Sequence, residues 1–279
     1  MLFRSESTEI VVEAVIAGLC CYGFVVHSAT ADRPFIDLSL LRDRNYGIGV
    51  LLIFLINLMM LATLALLPAF MQGLLGYPIV ETGYLMMPRG LGTMMAMLVV
   101  GRISGTIDAR LIVTVGLLLT SLSMWEMSRF NMNVDEHAII VTGALQGFGM
   151  GLIFSPLSAM TFSTLAPQLR TDGAAVFSLL RNLGSSIGVS VMIAMLSQGR
   201  QLHRSQLVEH VTPFSPALKD APDGLALDTL SGLMRLSEEI SRQADMLAYL
   251  GDFHLLMLVP LIPLPLVLIL RPQTYARRA

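Results

Sequence analysis

Repeated apolar runs constrain this chain most, because a lipid hydrocarbon core of about 30 Å is crossed by a helix of roughly 20 apolar residues. Such runs occupy residues 10–28, 47–72, 83–101, 111–128, 138–163, 174–198 and 253–270. Within lipid each backbone N–H and C=O must find its partner inside the segment. The runs therefore predict an all-α polytopic membrane helix bundle of about seven transmembrane helices in contact with a lipid bilayer. Composition agrees: 14% of the residues are charged and 54% hydrophobic, where soluble domains carry about 25% charged residues.

The same composition narrows function. Lys219 is the single lysine and the formal net charge is -2, so no basic field exists to gather nucleic acid. Cys20 and Cys21 are adjacent, and neighbouring cysteines neither bridge without strain nor provide metal-ligand spacing. His27, His137, His203, His210 and His254 fall at span ends or in loops without ligand spacing. No metal or other cofactor is expected. Nucleophile elbows and phosphate loops are missing too, so the chain does not read as an enzyme.

Arginines in the short loops set the expected orientation. Arg33, Arg42, Arg44, Arg102, Arg110, Arg170, Arg271, Arg277 and Arg278 share one side, with Arg4 and Arg129 on the other. By the positive-inside rule the C-terminus is cytoplasmic. An odd number of spans then puts the N-terminus outside. The first run follows Glu6, Glu9 and Glu13, not a basic leader, so it reads as a retained span, and Met1 is not expected to begin the ancestral chain. Residues 199–252 form the long extracytoplasmic loop of this topology. Its first half, with Pro213, Pro216 and Pro222, is expected to be extended. In its second half Leu230, Leu233, Ile240, Ala244 and Leu247 recur at helical spacing and predict an amphipathic helix leading into the last span. That helix reads first as a lid on the outer mouth.

Helices in lipid approach closely where side chains are small. Gly143, Gly147 and Gly151 repeat at every fourth position of the fifth span, and Gly184 and Gly188 repeat likewise in the sixth. Static packing is the plainer reading of these faces, and sliding contact during a cycle the functional one. Pro68, Pro88, Pro156, Pro260, Pro263 and Pro265 lie within spans, each removing a backbone donor and favouring a bend.

Charges within spans are the sharper signal, since an arginine near a helix centre costs about 2.5–3.5 kcal/mol on insertion scales. Arg89 lies inside the third span and Arg181 about two turns inside the sixth. Each is expected to face a polar interior or to snorkel. Asn57 and Gln146 either hydrogen-bond a neighbouring helix, the commoner fate, or line a cavity. Arg89, Asn57, Gln146 and Arg181 are thus the candidate transport-pathway residues. The 19 methionines suit a plastic surface for varied apolar molecules, though most are expected simply to pack. No acidic residue occupies the central part of the second, third, fifth, sixth or seventh span.

Several ordered strings carry a family resemblance. Before the second span stand Asp32-Arg33-Pro34-Phe35-Ile36 and Leu41-Arg42-Asp43-Arg44-Asn45, followed by Pro68 to Gln72, Gly76, Gly83 and Pro88-Arg89-Gly90. Gly101-Arg102-Ile103-Ser104 with Asp108-Ala109-Arg110 is similar to a cytoplasmic loop motif, here Gly101, Asp108 and Arg110. Gln146 to Gly151, Arg181 to Gly188, and Gln243-Ala244 with Tyr249 before Phe253 complete the series. In order and spacing the chain resembles the second half of a fourteen-span drug:proton antiporter of the EmrB/QacA type, in the major facilitator superfamily.

The resemblance implies a linker transmembrane helix and cytoplasmic loop over 1–46 and a C-terminal six-helix transporter bundle over 47–279. It implies further partners: a missing N-terminal bundle, hydrophobic drug-like substrates and a periplasmic adaptor protein. The family's proton-coupling acids belong mainly to the absent half. The expected function is the C-terminal portion of a multidrug efflux transporter of the inner (plasma) membrane, incomplete and inactive alone. A seven-helix membrane receptor and a non-transporting structural remnant stay open as alternatives. A retinal protein would need a lysine in its last helix, and Lys219 lies in the loop.

Overall fold

The computed structural model describes residues 8–30, 40, 42–210 and 230–270. The string at 32–36, Leu41, the loop prolines Pro213, Pro216 and Pro222, Lys219 and the terminal Arg271, Arg277 and Arg278 lie outside the described residues. Among the described residues eight α-helices run in order: α1 (Thr8–Thr30), α2 (Arg44–Gly73), α3 (Ile79–Ile103), α4 (Ala109–Met127), α5 (Glu136–Ser163), α6 (Arg170–His210), α7 (Leu230–Leu258) and α8 (Leu264–Ile269). Short 3-10 turns at Pro167–Leu169 and Val259–Leu261 link the later ones. Among the described residues six segments are long and apolar enough to cross a membrane: α2 to α5, Pro167–Glu209 and Leu230–Ile269. The first expected span lies within α1, a helix of 23 residues.

The helices begin where side chains can satisfy their first free N–H groups. Asp43 caps α2 by accepting from the Tyr46 N–H at 3.0 Å, and its carboxylate also accepts from the Thr164 hydroxyl at 2.7 Å. The start of α2 is thereby tied to the end of α5. Asp108 caps α4 through the Arg110 N–H at 3.0 Å. Between α2 and α3 the chain reverses through Gly76, whose φ of 75° is the left-handed conformation that favours glycine.

α2 is the central column. It packs along α6, while α5 lies between α3 and α4 and α7 closes against α6 and α4. Phe70 of α2 is fully buried, with ring centroids of Tyr249, Phe253 and Phe130 at 5.4, 5.9 and 6.2 Å.

Two expectations are corrected. Residues 199–252 are not chiefly a loop: α6 continues to His210 and α7 starts at Leu230, so both helices extend beyond the apolar runs. The polar stretch after Gln198 keeps good helix formers although it is too polar to register as a span. The helix expected before the last span is present as α7, but its inner face differs in part: Leu230, Leu233 and Leu247 are exposed, whereas the expected Ala244 is buried together with Gly232 and Ala248. Small residues face α6 because they allow close approach; a Cβ on Gly199 would lie 3.2 Å from that of Ala248. In the last span, Pro260, Pro263 and Pro265 withhold three N–H donors, and the helix breaks into the 3-10 turn and the six-residue α8.

Candidate functional site

The seam between α3 and α5 is built on missing side chains. A Cβ on Gly147 would collide with the Arg89 carbonyl oxygen, and one on Gly92 with the Ala144 carbonyl. A Cβ on Gly151 would come within 2.6 Å of Ala96 and of the Thr93 carbonyl. Gly143 is looser, with only an ordinary contact at 4.0 Å to the Arg89 Cβ. Thr93 rivets the seam: its hydroxyl lies 3.1 Å from the Arg89 carbonyl and 3.0 Å from the Gly147 carbonyl. The sequence reading passed over Thr93; its place one turn after Arg89 was the available signal.

The α2–α6 seam follows the same rule. Cβ atoms on Gly184 and Gly188 would collide with the carbonyls of Phe54 and Leu58. Tyr46 adds a hydroxyl donated to the Gly173 carbonyl at 2.7 Å.

Arg89 projects from the first seam toward α2. Its Nη2 donates to the Met60 carbonyl at 3.4 Å, and its Nη1 is buried without a hydrogen-bond partner. Met60 in turn lines a cavity of about 410 Å³ between α2, α5 and α6. α2 contributes Asn57, α5 Phe154, and α6 Arg181, Asn182 and Ser186. The lining contains no carboxylate. Asn57 and Arg181 thus share one cavity, with Arg89 at its wall.

Asn57 is 2% exposed and donates to the Ile53 carbonyl of its own helix at 2.9 Å, so the expected bond to a neighbouring helix is replaced by a local one. Gln146 stands apart. It is fully buried in the α4–α5 interface, its Nε2 3.9 Å from the Met124 sulfur and its Oε1 unpartnered.

A larger groove of about 750 Å³ lies at the facing ends of α4 and α5. It mixes Glu126, Asp135, His137 and Arg129, whose guanidinium is stacked 4.8 Å over the Trp125 ring. It lies at the helix ends, whereas the cavity between α2, α5 and α6 runs along a helix seam and brings Asn57 and Arg181 together, which makes it the better candidate pathway.

The loop motif has a structural part in the bundle. Asp108 caps α4, and Arg110 reaches across to the Leu268 carbonyl at 3.3 Å, tying the α3–α4 connection to the end of α8. Gly101 faces open space.

Four residues to which the sequence reading assigns no site role, Arg200, Asp245, Tyr249 and Asp252, meet near the α6–α7 extension. The Arg200 Nε and an Asp245 oxygen are 3.1 Å apart, and Arg200 Nη2 donates to the Tyr249 hydroxyl at 3.3 Å. Asp252, one turn further, is 4% exposed with Oδ2 unpartnered among the described residues. Because α7 runs unbroken through it, an interior carboxyl sits where the apolar runs suggested only a loop boundary.

Comparison with known proteins agrees with this architecture. The Major Facilitator Superfamily pattern matches residues 5–189. The chain is similar to the multidrug export protein EmrB of Haemophilus influenzae, at 29% identity over 76% of this chain and 42% of that protein. It is similar to EmrB of Escherichia coli at 28% identity over 85% of this chain and 47% of that protein. The lincomycin resistance protein LmrB of Listeria innocua is 24% identical over 71% of this chain and 42% of its own length. The chain thus spans about half the length of the curated relatives it matches. A helical bundle with six candidate spans, seams of glycine against backbone and a match over most of its length establish that the chain belongs to the major facilitator superfamily.

Proposed function

We propose that this chain is the C-terminal portion of a multidrug efflux transporter and forms one wall of its substrate cavity. The observation that supports this most is the cavity bounded by α2, α5 and α6, with Arg181 and Asn57 in its lining and Arg89 at its edge. Substrates in transporters of this kind bind near the midplane between repeated bundles that rock about the site. The export names of the relatives point the same way. Hydrophobic drug-like molecules are the proposed cargo, and an N-terminal bundle is the proposed partner against the exposed apolar faces of α3 and α6. A periplasmic adaptor is proposed by resemblance alone. Superfamily membership favours a transporter over a receptor.

The protein is a multi-pass membrane protein; its placement in the inner membrane with a cytoplasmic C-terminus is part of the proposal. Alone, the chain is proposed to be inactive in proton-coupled efflux. An N-terminal bundle expressed as a separate polypeptide is expected to co-purify with this chain and to restore uncoupler-sensitive dye efflux. Failure to co-purify from membranes in which both are folded would contradict the shared-cavity reading.

A further inference from the structure

We infer that the groove at the facing ends of α4 and α5 holds one phospholipid with a zwitterionic, primary-amine headgroup, of which phosphatidylethanolamine is the simplest. The groove lies where the bundle meets the bilayer surface. α4 starts beside its cap Asp108 and ends at Met127, 19 residues or about 28 Å of helix rise, close to one hydrocarbon thickness of about 30 Å. Its far end therefore reaches the opposite interface. Trp125, 40% exposed, supplies at that end the amphipathic ring that favours this level.

On the hydrocarbon side of Trp125 the wall is apolar and open. Leu118 and Leu122 stand one turn apart on α4 and are both exposed, as is Val141 across from them on α5. Leu122, Val141 and Leu145 line the groove itself and form a strip for an acyl chain. With the N-terminal bundle proposed against α3 and α6, this side of α4 is left to lipid. On the water side four ionisable side chains line the same space of about 750 Å³: Glu126, Arg129, Asp135 and His137. None of them forms an ion pair or side-chain hydrogen bond among the described residues. Arg129 instead lays its guanidinium 4.8 Å over the Trp125 ring.

Two carboxylates and a guanidinium around one space are complementary to a ligand carrying both signs. The ammonium of an ethanolamine headgroup donates to Glu126 and Asp135, and its phosphate accepts from Arg129 and His137. A choline headgroup has the positive charge without the N–H donors, and a glycerol headgroup lacks the cation. An amphiphile of a single sign satisfies one half of the set and is repelled by the other.

The test is native mass spectrometry of the full chain, titrated in detergent with dioleoyl phosphatidylethanolamine, phosphatidylcholine or phosphatidylglycerol. The first ethanolamine lipid is expected to bind about three- to tenfold more tightly than either of the others, the yield of one or two charged contacts near the surface. Glu126→Gln combined with Asp135→Asn should bring it to the affinity of the choline lipid. Both carboxylates are exposed, so the variant should keep its melting temperature. A water-soluble carbodiimide locates the site, because it joins a primary amine to a carboxylate in contact with it. Peptide digests should show the headgroup coupled to Glu126 or Asp135. Equal or tighter binding of phosphatidylglycerol, a preference that survives in the folded double variant, or coupling confined to other carboxylates would each overturn the assignment. Displacement of the ethanolamine lipid by an equal concentration of decyltrimethylammonium would make the groove a site for cations and overturn it as well, leaving the transport reading as it stands.

Discussion

Gly147 and Gly143 are four residues apart on one helix and look alike in sequence, yet the bundle treats them differently. The Arg89 carbonyl occupies the space a Gly147 side chain would need, whereas Gly143 has ordinary clearance. Gly147→Leu should lower folded yield and melting temperature in detergent, by about 1–3 kcal/mol or more for an overpacked site. Gly143→Ala should leave both nearly unchanged; equal losses for the two variants would contradict the seam. Arg89 and Arg181 were legible because a charge stands out within an apolar run. The separation of Asn57 from Gln146 was not, because spans that are apolar nearly all round do not reveal which face meets a cavity. Asp252 was missed for a different reason: its run was cut short at Phe253 by the polar residues before it.

At the scale of elements, the seven runs located helices well, and the capping aspartates Asp43 and Asp108 stood at the starts of α2 and α4. The apolar pattern failed where α6 and α7 leave it, since helices joined by packing need not be hydrophobic throughout. These extensions are held by aromatic packing more than by charge. Arg200 and Asp245 are 40% and 35% exposed, so Asp245→Asn should cost well under about 1 kcal/mol. Tyr249→Ala should cost considerably more, because the ring fills the space beside Phe70 and supports Arg200. Thermal unfolding of the two variants in one detergent orders them, and a larger loss for Asp245→Asn would contradict this account.

The whole bundle has a marked polarity. The start of α2 meets the end of α5 through Asp43 and Thr164, and the start of α4 meets the end of α8 through Arg110 and Leu268, so these ends share one side. The loop arginines Arg42, Arg44, Arg102, Arg110 and Arg170 lie at that end, which is proposed to be cytoplasmic. With Cys20 and Cys21 replaced by serine, Thr106→Cys should resist an impermeant maleimide added outside and Ser205→Cys should react. The reverse pattern would invert the topology.

The central claim is that this chain is one side of a transporter whose cycle needs a second bundle. Its interior holds Arg89 and Arg181 around the cavity, and Asp252 lies within the six-segment bundle. An interior acid alone does not give alternating access, which requires two bodies moving about a shared site. Dye accumulation in inverted vesicles containing only this chain, with and without an imposed pH gradient, tests this most directly. The account predicts no gradient-dependent accumulation above vesicles lacking the chain. Accumulation that appears with the gradient and vanishes with an uncoupler would contradict it.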